Sequence, residues 1–139
     1  YGNVTLSTKT IDGDFPDYMR VIPANNDKIV KFEKSDLVGA VKRVTIFADE
    51  KTKSVTMDID AGRITIKVAA SDGGIATEEV PVTYDGEDIK YRCNGVYLLQ
   101  QIEAAGNEVH MAIGDSNSPI MLTSPDNSGY VGVLMGMRI

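Results

Sequence analysis

Few side chains in this chain could do covalent chemistry. His110 is the only histidine and Cys93 the only cysteine. They are the residue types of a thiol nucleophile and its base. His110 lies in EVHMAI, where Val109, Met111 and Ile113 alternate against His110 and Ala112. That alternation reads as a strand with His110 facing outward. Cys93 ends an apolar strand, the usual setting of a buried, inert thiol. There is no G-x-S-x-G, phosphate loop, H-E-x-x-H or C-x-x-C. Asp58-x-Asp60 and Asp12-Gly-Asp14 resemble half a calcium loop but lack its central glycine and closing glutamate. They read as turn residues. The expectation is a non-catalytic protein with no cofactor and no metal.

Net charge narrows the partners. The chain has 139 residues, is 42% hydrophobic and carries a formal charge of −6. Tight DNA binding draws its affinity from neutralised phosphates and wants the opposite sign. Lys34, Lys42, Arg43, Lys51 and Lys53 do gather on and after one helix, against Asp36, Asp49 and Glu50. No aromatics interleave with them, so base stacking is not expected. No apolar run approaches the roughly 20 residues that span a bilayer. One cysteine permits no internal disulfide, and a cytoplasmic location is expected.

These groups must sit on elements that the patterning defines. A short strand covers 29–32. A helix follows, with Ser35 as N-cap, Asp36 in its first turn, and Leu37, Val41, Val44 and Phe47/Ala48 at helical spacing. Strands are expected at 54–59, 63–70 and 75–84. Pro81 and the charged pair Glu78–Glu79 place the third at a sheet edge. A strand at 88–93 leads to Asn94, which can cap a helix through 105 that turns Val96, Leu99, Ile102 and also Leu98 inward and stops at Gly106. Strands at 108–113, 119–123 and 129–135 complete the chain. The order is β-α-β-β-β, twice, with neighbouring strands antiparallel and both helices on one face: an α+β fold.

Two stretches stand outside that repeat. Residues 1–11 (YGNVTLSTKTI) alternate as a strand with nothing local to pair with. Starting on Tyr1, they are expected to belong to a preceding domain. Residues 12–23 (DGDFPDYMRVIP) form a connector too proline-rich for a helix and too apolar for a solvated linker. The terminal VLMGMRI adds apolar, methionine-rich surface at a free end, where adaptable binding linings occur.

DGDFPDYMRVIP resembles the connector before the last domain of the bacterial sliding clamps, the beta subunits of DNA polymerase III. MGMRI is similar to that family's terminal motif, with Gly136 in place of the usual proline. PVTYDG at 81–86, Asn94-x-x-Tyr97 and DSNSP at 115–119 fall in the family's order. Asp14 and Met19 stand where the family often has basic residues. The resemblance covers nearly the whole chain. It implies a clamp fold, with 1–22 as the last strand and connector of the middle domain and 23–139 as the third domain.

The resemblance also implies the partners and sites. The family encircles duplex DNA without reading its sequence, as a head-to-tail homodimer; this piece alone is expected to be monomeric. DNA polymerase and clamp-loader subunits dock short peptides of the glutamine-leucine-x-leucine-phenylalanine type. Carried over, the peptide lining is Pro16, Arg20, Val21, Asn94, Tyr97, Asn117, Pro119, Val133, Leu134, Met135, Met137 and Arg138. Lys42 and Arg43 would face DNA. Ile46, Phe47, Glu78 and Glu79 would form the ring interface. Gly136 is expected to loosen the chain beside the peptide. The competing reading is a peptide-binding adaptor of the same fold that never encircles DNA.

Overall fold

The computed structural model describes residues 2–15, 17–70 and 73–138. Two units follow one another. The first is β1 (Lys28–Glu33), α1 (Lys34–Thr45), β2 (Ser54–Asp60), β3 (Arg63–Ala69) and β4 (Ile75–Pro81). The second is β5 (Ile89–Asn94), α2 (Gly95–Ala104), β6 (Glu108–Ile113), β7 (Ile120–Thr123) and β8 (Val131–Leu134). The expected order and helix count are therefore those of the structure.

The units do not fold separately. One antiparallel sheet runs β1-β6-β7-β8 and the other β4-β3-β2-β5. Each unit thus lends its first strand to the other's sheet. Val30 stands opposite Met111, and Met57 opposite Tyr91. Strict alternation on β2 and β3 sends Val55, Met57, Ile59, Ile64, Ile66 and Val68 into the core. There they meet Leu37, Val41 and Val44 of α1 and Leu98 and Ile102 of α2.

Strand and helix ends are fixed by local bonds. The Asn94 side chain accepts from the N–H groups of Val96 (2.9 Å) and Tyr97 (3.1 Å), the expected cap. Each unit also closes on its own exit. Lys31 exchanges two backbone hydrogen bonds with Thr83 (3.1 and 2.8 Å), and Met137 N–H donates to Arg92 O (2.7 Å).

Residues 2–15 pair with none of the eight described strands, in keeping with the expectation that nothing local pairs with them. Other expectations need correction. Helix α1 starts at Lys34, two residues earlier than a Ser35 cap allows. Glu33 takes the cap position without a side-chain bond, and Ser35 bonds Asp36 instead (3.3 Å). On α2 Leu98 and Ile102 are buried as expected, whereas Val96 is exposed. Ala112 is buried beside the half-exposed His110, because β6 is an inner strand with both faces covered there. Gly106 follows the end of α2, and its lack of a side chain has a steric reason. A methyl there would collide with the Asp126 carboxylate, which accepts from Asn107 N–H (2.7 Å).

Gly95 marks the closest approach of the units. A Cβ at this position would lie 2.7 Å from Thr45 Cγ2 and 2.8 Å from Val55 Cγ1. Gly95→Ala is therefore expected to overpack the join and lower unfolding free energy by about 1–3 kcal/mol. A urea midpoint equal to or above that of the parent chain would contradict this.

Candidate functional site

The structure gathers a subset of the expected residues into one open cleft of about 640 Å³. One wall is α2, through Tyr97, Gln100 and Gln101; the other is β8 and the tail, from Val133 to Met137. Lys51, Thr52 and Asn94 close one end. The apolar share of the lining comes from Val133, Leu134, Met135 and Met137. Tyr97 and Met135 are well exposed, so their surface is available to a ligand.

A second cleft of about 690 Å³ lies beyond it, lined by Ser116, Asn117, Gly136 and Arg138. Gly136 belongs to both and joins them. Its backbone does not use the left-handed region open to glycine. Instead a Cβ there would meet the Tyr91 hydroxyl at 3.0 Å, so the tail lies flat on the tyrosine ring. With Met137 N–H bonded to Arg92, the stretch around Gly136 is pinned on both sides.

Tyr91 explains how the two clefts keep their relation. It is fully buried, and its hydroxyl reaches Ser118 O (3.0 Å) and Leu134 O (3.2 Å). One phenol thus ties the loop of one cleft to the strand of the other. Burial pushes its pKa well up, so it stays a donor. Tyr130 does a related job, donating to Gln101 Oε1 (3.0 Å) to hold α2 on β8. Neither tyrosine was among the expected site residues. A lone tyrosine ahead of a strand end gives no sequence signal of which carbonyls it will meet.

Asp115 shapes the loop that carries Asn117. One carboxylate oxygen accepts from Asn117 N–H and Ser118 N–H (2.7 Å each), and the other from the Ser118 hydroxyl (2.7 Å). This is the physical content of the DSNSP motif.

Other expected residues fall elsewhere. Arg20 and Val21 sit on and after an exposed one-turn helix, Tyr18–Arg20, where Arg20 pairs with Asp17 (3.1 Å). They line neither cleft. Pro119 is turned away, its carbonyl accepting from Asn26 Nδ2 (2.9 Å). Pro16 lies outside the described residues. The sequence reading missed Lys51, Thr52, Gln100 and Gln101. Gln100 and Gln101 were legible as the polar face of α2; Lys51 and Thr52 reach the cleft only through the fold.

On the helix side, both expected cations are paired within the chain. Lys42 meets Glu103 of α2 at 2.7 Å. Arg43 makes a two-pronged pair with Glu78 of β4, at 2.8 and 3.0 Å. Ile46 and Phe47 follow α1 and are 79% and 56% exposed. Glu79 stands on β4, an edge strand as Pro81 required. Its nearest cation is Arg63, at 4.0 Å.

The residues first considered for catalysis are not assembled. Cys93 is buried, and desolvation pushes its thiol up to about 12. His110 bonds Glu108 (2.6 Å) on its own strand. Among the described residues no group of three or more metal-type ligands converges. No described helix is long and apolar enough to cross a membrane.

Known proteins resemble this chain along nearly its whole length. The model of the C-terminal domain of the DNA polymerase III beta subunit matches residues 19–138. The chain belongs to this family. The beta sliding clamp of Caulobacter vibrioides is 40% identical over 140 residues, covering 100% of this chain and 38% of the relative. The solved structure of Caulobacter crescentus pol III beta is 41% identical with a TM-score of 0.89, over 95% of this chain and 36% of that one. A Pseudomonas aeruginosa sliding clamp bound to griselimycin matches at 33% identity and TM-score 0.88, over 92% of this chain and 35% of that one. The chain thus spans little more than a third of the length of these sliding-clamp relatives.

The Asp115 loop of this clamp domain generates an acid-side prediction. Its carboxyl is held below the ordinary carboxylate range, chiefly by the Asn117 N–H and then by the Ser118 hydroxyl and N–H. A group depressed on folding stabilises fully above its unfolded pKa of about 3.9 and less as pH falls through the folded value. The Asn117 and Ser118 amide resonances are expected to titrate together below that pH. A midpoint at or above it would contradict the assignment.

Proposed function

We propose that this chain is one sector of a ring-shaped processivity clamp, a non-catalytic part of DNA polymerase III that docks partner peptides in the α2–β8 cleft. The observation that carries the docking is the joint placement of Asn94, Tyr97, Val133, Leu134, Met135 and Met137 in one cleft. These six of the expected lining residues come from two elements far apart in sequence, which supports the reading. Its apolar walls suit leucine and phenylalanine side chains, and the neighbouring cleft offers Asn117 and Arg138 for polar backbone groups.

On this reading residues 23–139 are the third clamp domain, and 1–22 are the last strand and connector of the second. Residues 2–15 support this: they carry exposed Val4, Leu6 and Ile11 and pair with no strand among the described residues. A second-domain sheet would supply the missing ladder. The exposed Ile46 and Phe47, beside the free β4 edge with Glu79, would meet the first domain of another protomer in a head-to-tail homodimer. Polymerase and clamp-loader proteins would bring the peptides, in the cytoplasm.

Lys42 and Arg43 would face duplex DNA from the helix side. Their pairing with Glu103 and Glu78 leaves little net positive charge there. A ring that holds DNA by topology needs only weak, mobile attraction. The same pairing favours the adaptor reading, in which DNA is not encircled at all. The two part on the full-length protein. A clamp loaded on closed circular DNA is expected to stay bound and to be lost when the circle is cut; equal retention on both would favour the adaptor.

Peptide docking is tested on this chain directly. A pentapeptide with leucine and phenylalanine anchors, at millimolar concentration, is expected to shift the resonances of Tyr97, Met135 and Met137. Met137→Arg, confirmed as folded by its thermal melt, should weaken binding by more than about tenfold, since it replaces an apolar contact with a charge. No shift at those residues in the parent chain would overturn the cleft assignment.

A further inference from the structure

Asn94 is followed by Gly95, the one Asn-Gly pair in the chain. The fold requires both residues. Asn94 caps α2 and ties it to the preceding loop, and Gly95 has no room for a side chain. Side by side they form the dipeptide most prone to lose its asparagine amide, because glycine leaves the following nitrogen unshielded. The join between the two units therefore carries a chemical liability that its own geometry imposes.

The two reacting groups are held by different elements. Asn94 Oδ1 accepts from Val96 N–H and Tyr97 N–H, at 2.9 and 3.1 Å. Donors so placed stabilise negative charge on that oxygen when its carbon is attacked. The nucleophile is restrained instead by the loop 49–53. Gly95 is buried, and its N–H donates to Lys53 O (2.8 Å). The Asn94 amide nitrogen donates to Thr52 O (3.1 Å). Asp49 holds that loop in turn. Its Oδ1 accepts from Lys51 N–H and Thr52 N–H (3.0 Å each), and its carbonyl accepts from Lys53 N–H (2.9 Å). Lys53 closes the loop in a left-handed backbone (φ 47°) that a residue with a Cβ rarely adopts.

We propose that Asn94-Gly95 is a site of spontaneous deamidation, guarded in the folded chain by the loop 49–53 and released when that loop lifts. The Gly95 nitrogen bonds to Asn94 Cγ. Its proton and the side-chain NH2 leave as ammonia, and a cyclic imide remains. Water then opens the imide, at Cγ to give aspartate or at the main-chain carbonyl to give isoaspartate. Aspartate keeps both cap bonds and adds a charge that suits the first turn of α2, so the helix persists. It has no donor for Thr52 O, and two oxygens face each other where a hydrogen bond stood. Isoaspartate adds a carbon to the main chain between β5 and α2. Either product unties Thr52 from Asn94, at the end of the cleft that these two residues close with Lys51.

The test follows amide loss in the 139-residue chain in mildly alkaline, isotopically labelled water, by peptide mapping and mass spectrometry. Asn127-Ser128, in the exposed turn between β7 and β8, is the internal control. In urea Asn94 is expected to convert before Asn127. In the folded chain the order should reverse, with Asn94 slowed at least about tenfold relative to urea. Asp49→Ala frees the loop and should speed Asn94 by about three- to tenfold at an unchanged Asn127 rate. Asp49→Asn keeps the acceptor and should stay near the parent. A thermal melt checks that Asp49→Ala is folded; the contrast between urea and native conditions in the parent stands without it. Asn94→Asp, a mimic of one product, is expected to shift the Thr52 and Lys53 amide resonances while Val96 N–H and Tyr97 N–H stay protected from exchange. No conversion of Asn94 in urea would overturn the site. Equal rates folded and in urea, or a folded Asp49→Ala chain no faster than the parent, would overturn the guard. Unmoved Thr52 and Lys53 resonances in Asn94→Asp would overturn the consequence. No readout uses a peptide, so any of these results leaves the docking reading untouched.

Discussion

The exchange of first strands between the two units governs this molecule. β1 ladders with β6, and β5 with β2, so neither sheet is complete within one unit. Because α1 follows β1 and α2 follows β5 without a loop, the exchange also sets where the helices lie. They are drawn side by side at Gly95, where there is no room for a methyl group. The cleft follows from the same constraint. Its α2 wall is anchored through Asn94 to the end of β5, in one sheet. Its other wall is β8, the edge of the other sheet. A site between two sheets exists because the strands have crossed.

Charge is distributed on the same plan. The two cations of α1 that face away from the core are engaged by partners from other elements, Glu103 and Glu78. They stitch α1 to α2 and to the β4 edge, and they leave the helix side nearly neutral. The cleft side is different in kind: apolar walls with one lysine, and Arg138 in the adjoining cleft.

Much of this was legible in the sequence, for identifiable reasons. Period-two alternation on β2 and β3 has no competing interpretation, and Pro81 with Glu78–Glu79 marks an edge that the topology keeps. Asn94 reads as a cap because its position before an apolar helix leaves N–H groups to satisfy. The failures come where tertiary contact decides. Ser35 is a good cap residue that lost its place because β1 runs directly into α1. Tyr91, Lys51 and Thr52 carry no local signal, since what they touch is brought to them by strand exchange.

The exchange has a further consequence for how the chain is made. As it leaves the ribosome, β2, β3 and β4 can pair at once, but β1 waits for β6, which lies far downstream. Until then its Val30 and Phe32 have no sheet to enter, and α1 lacks the neighbour that covers its flank. The sheet that carries the cleft closes only when β8, almost the last element, arrives. The β4-β3-β2-β5 sheet is complete once β5 has emerged, whereas the apolar strands and edges of the other sheet stay unpaired for longer.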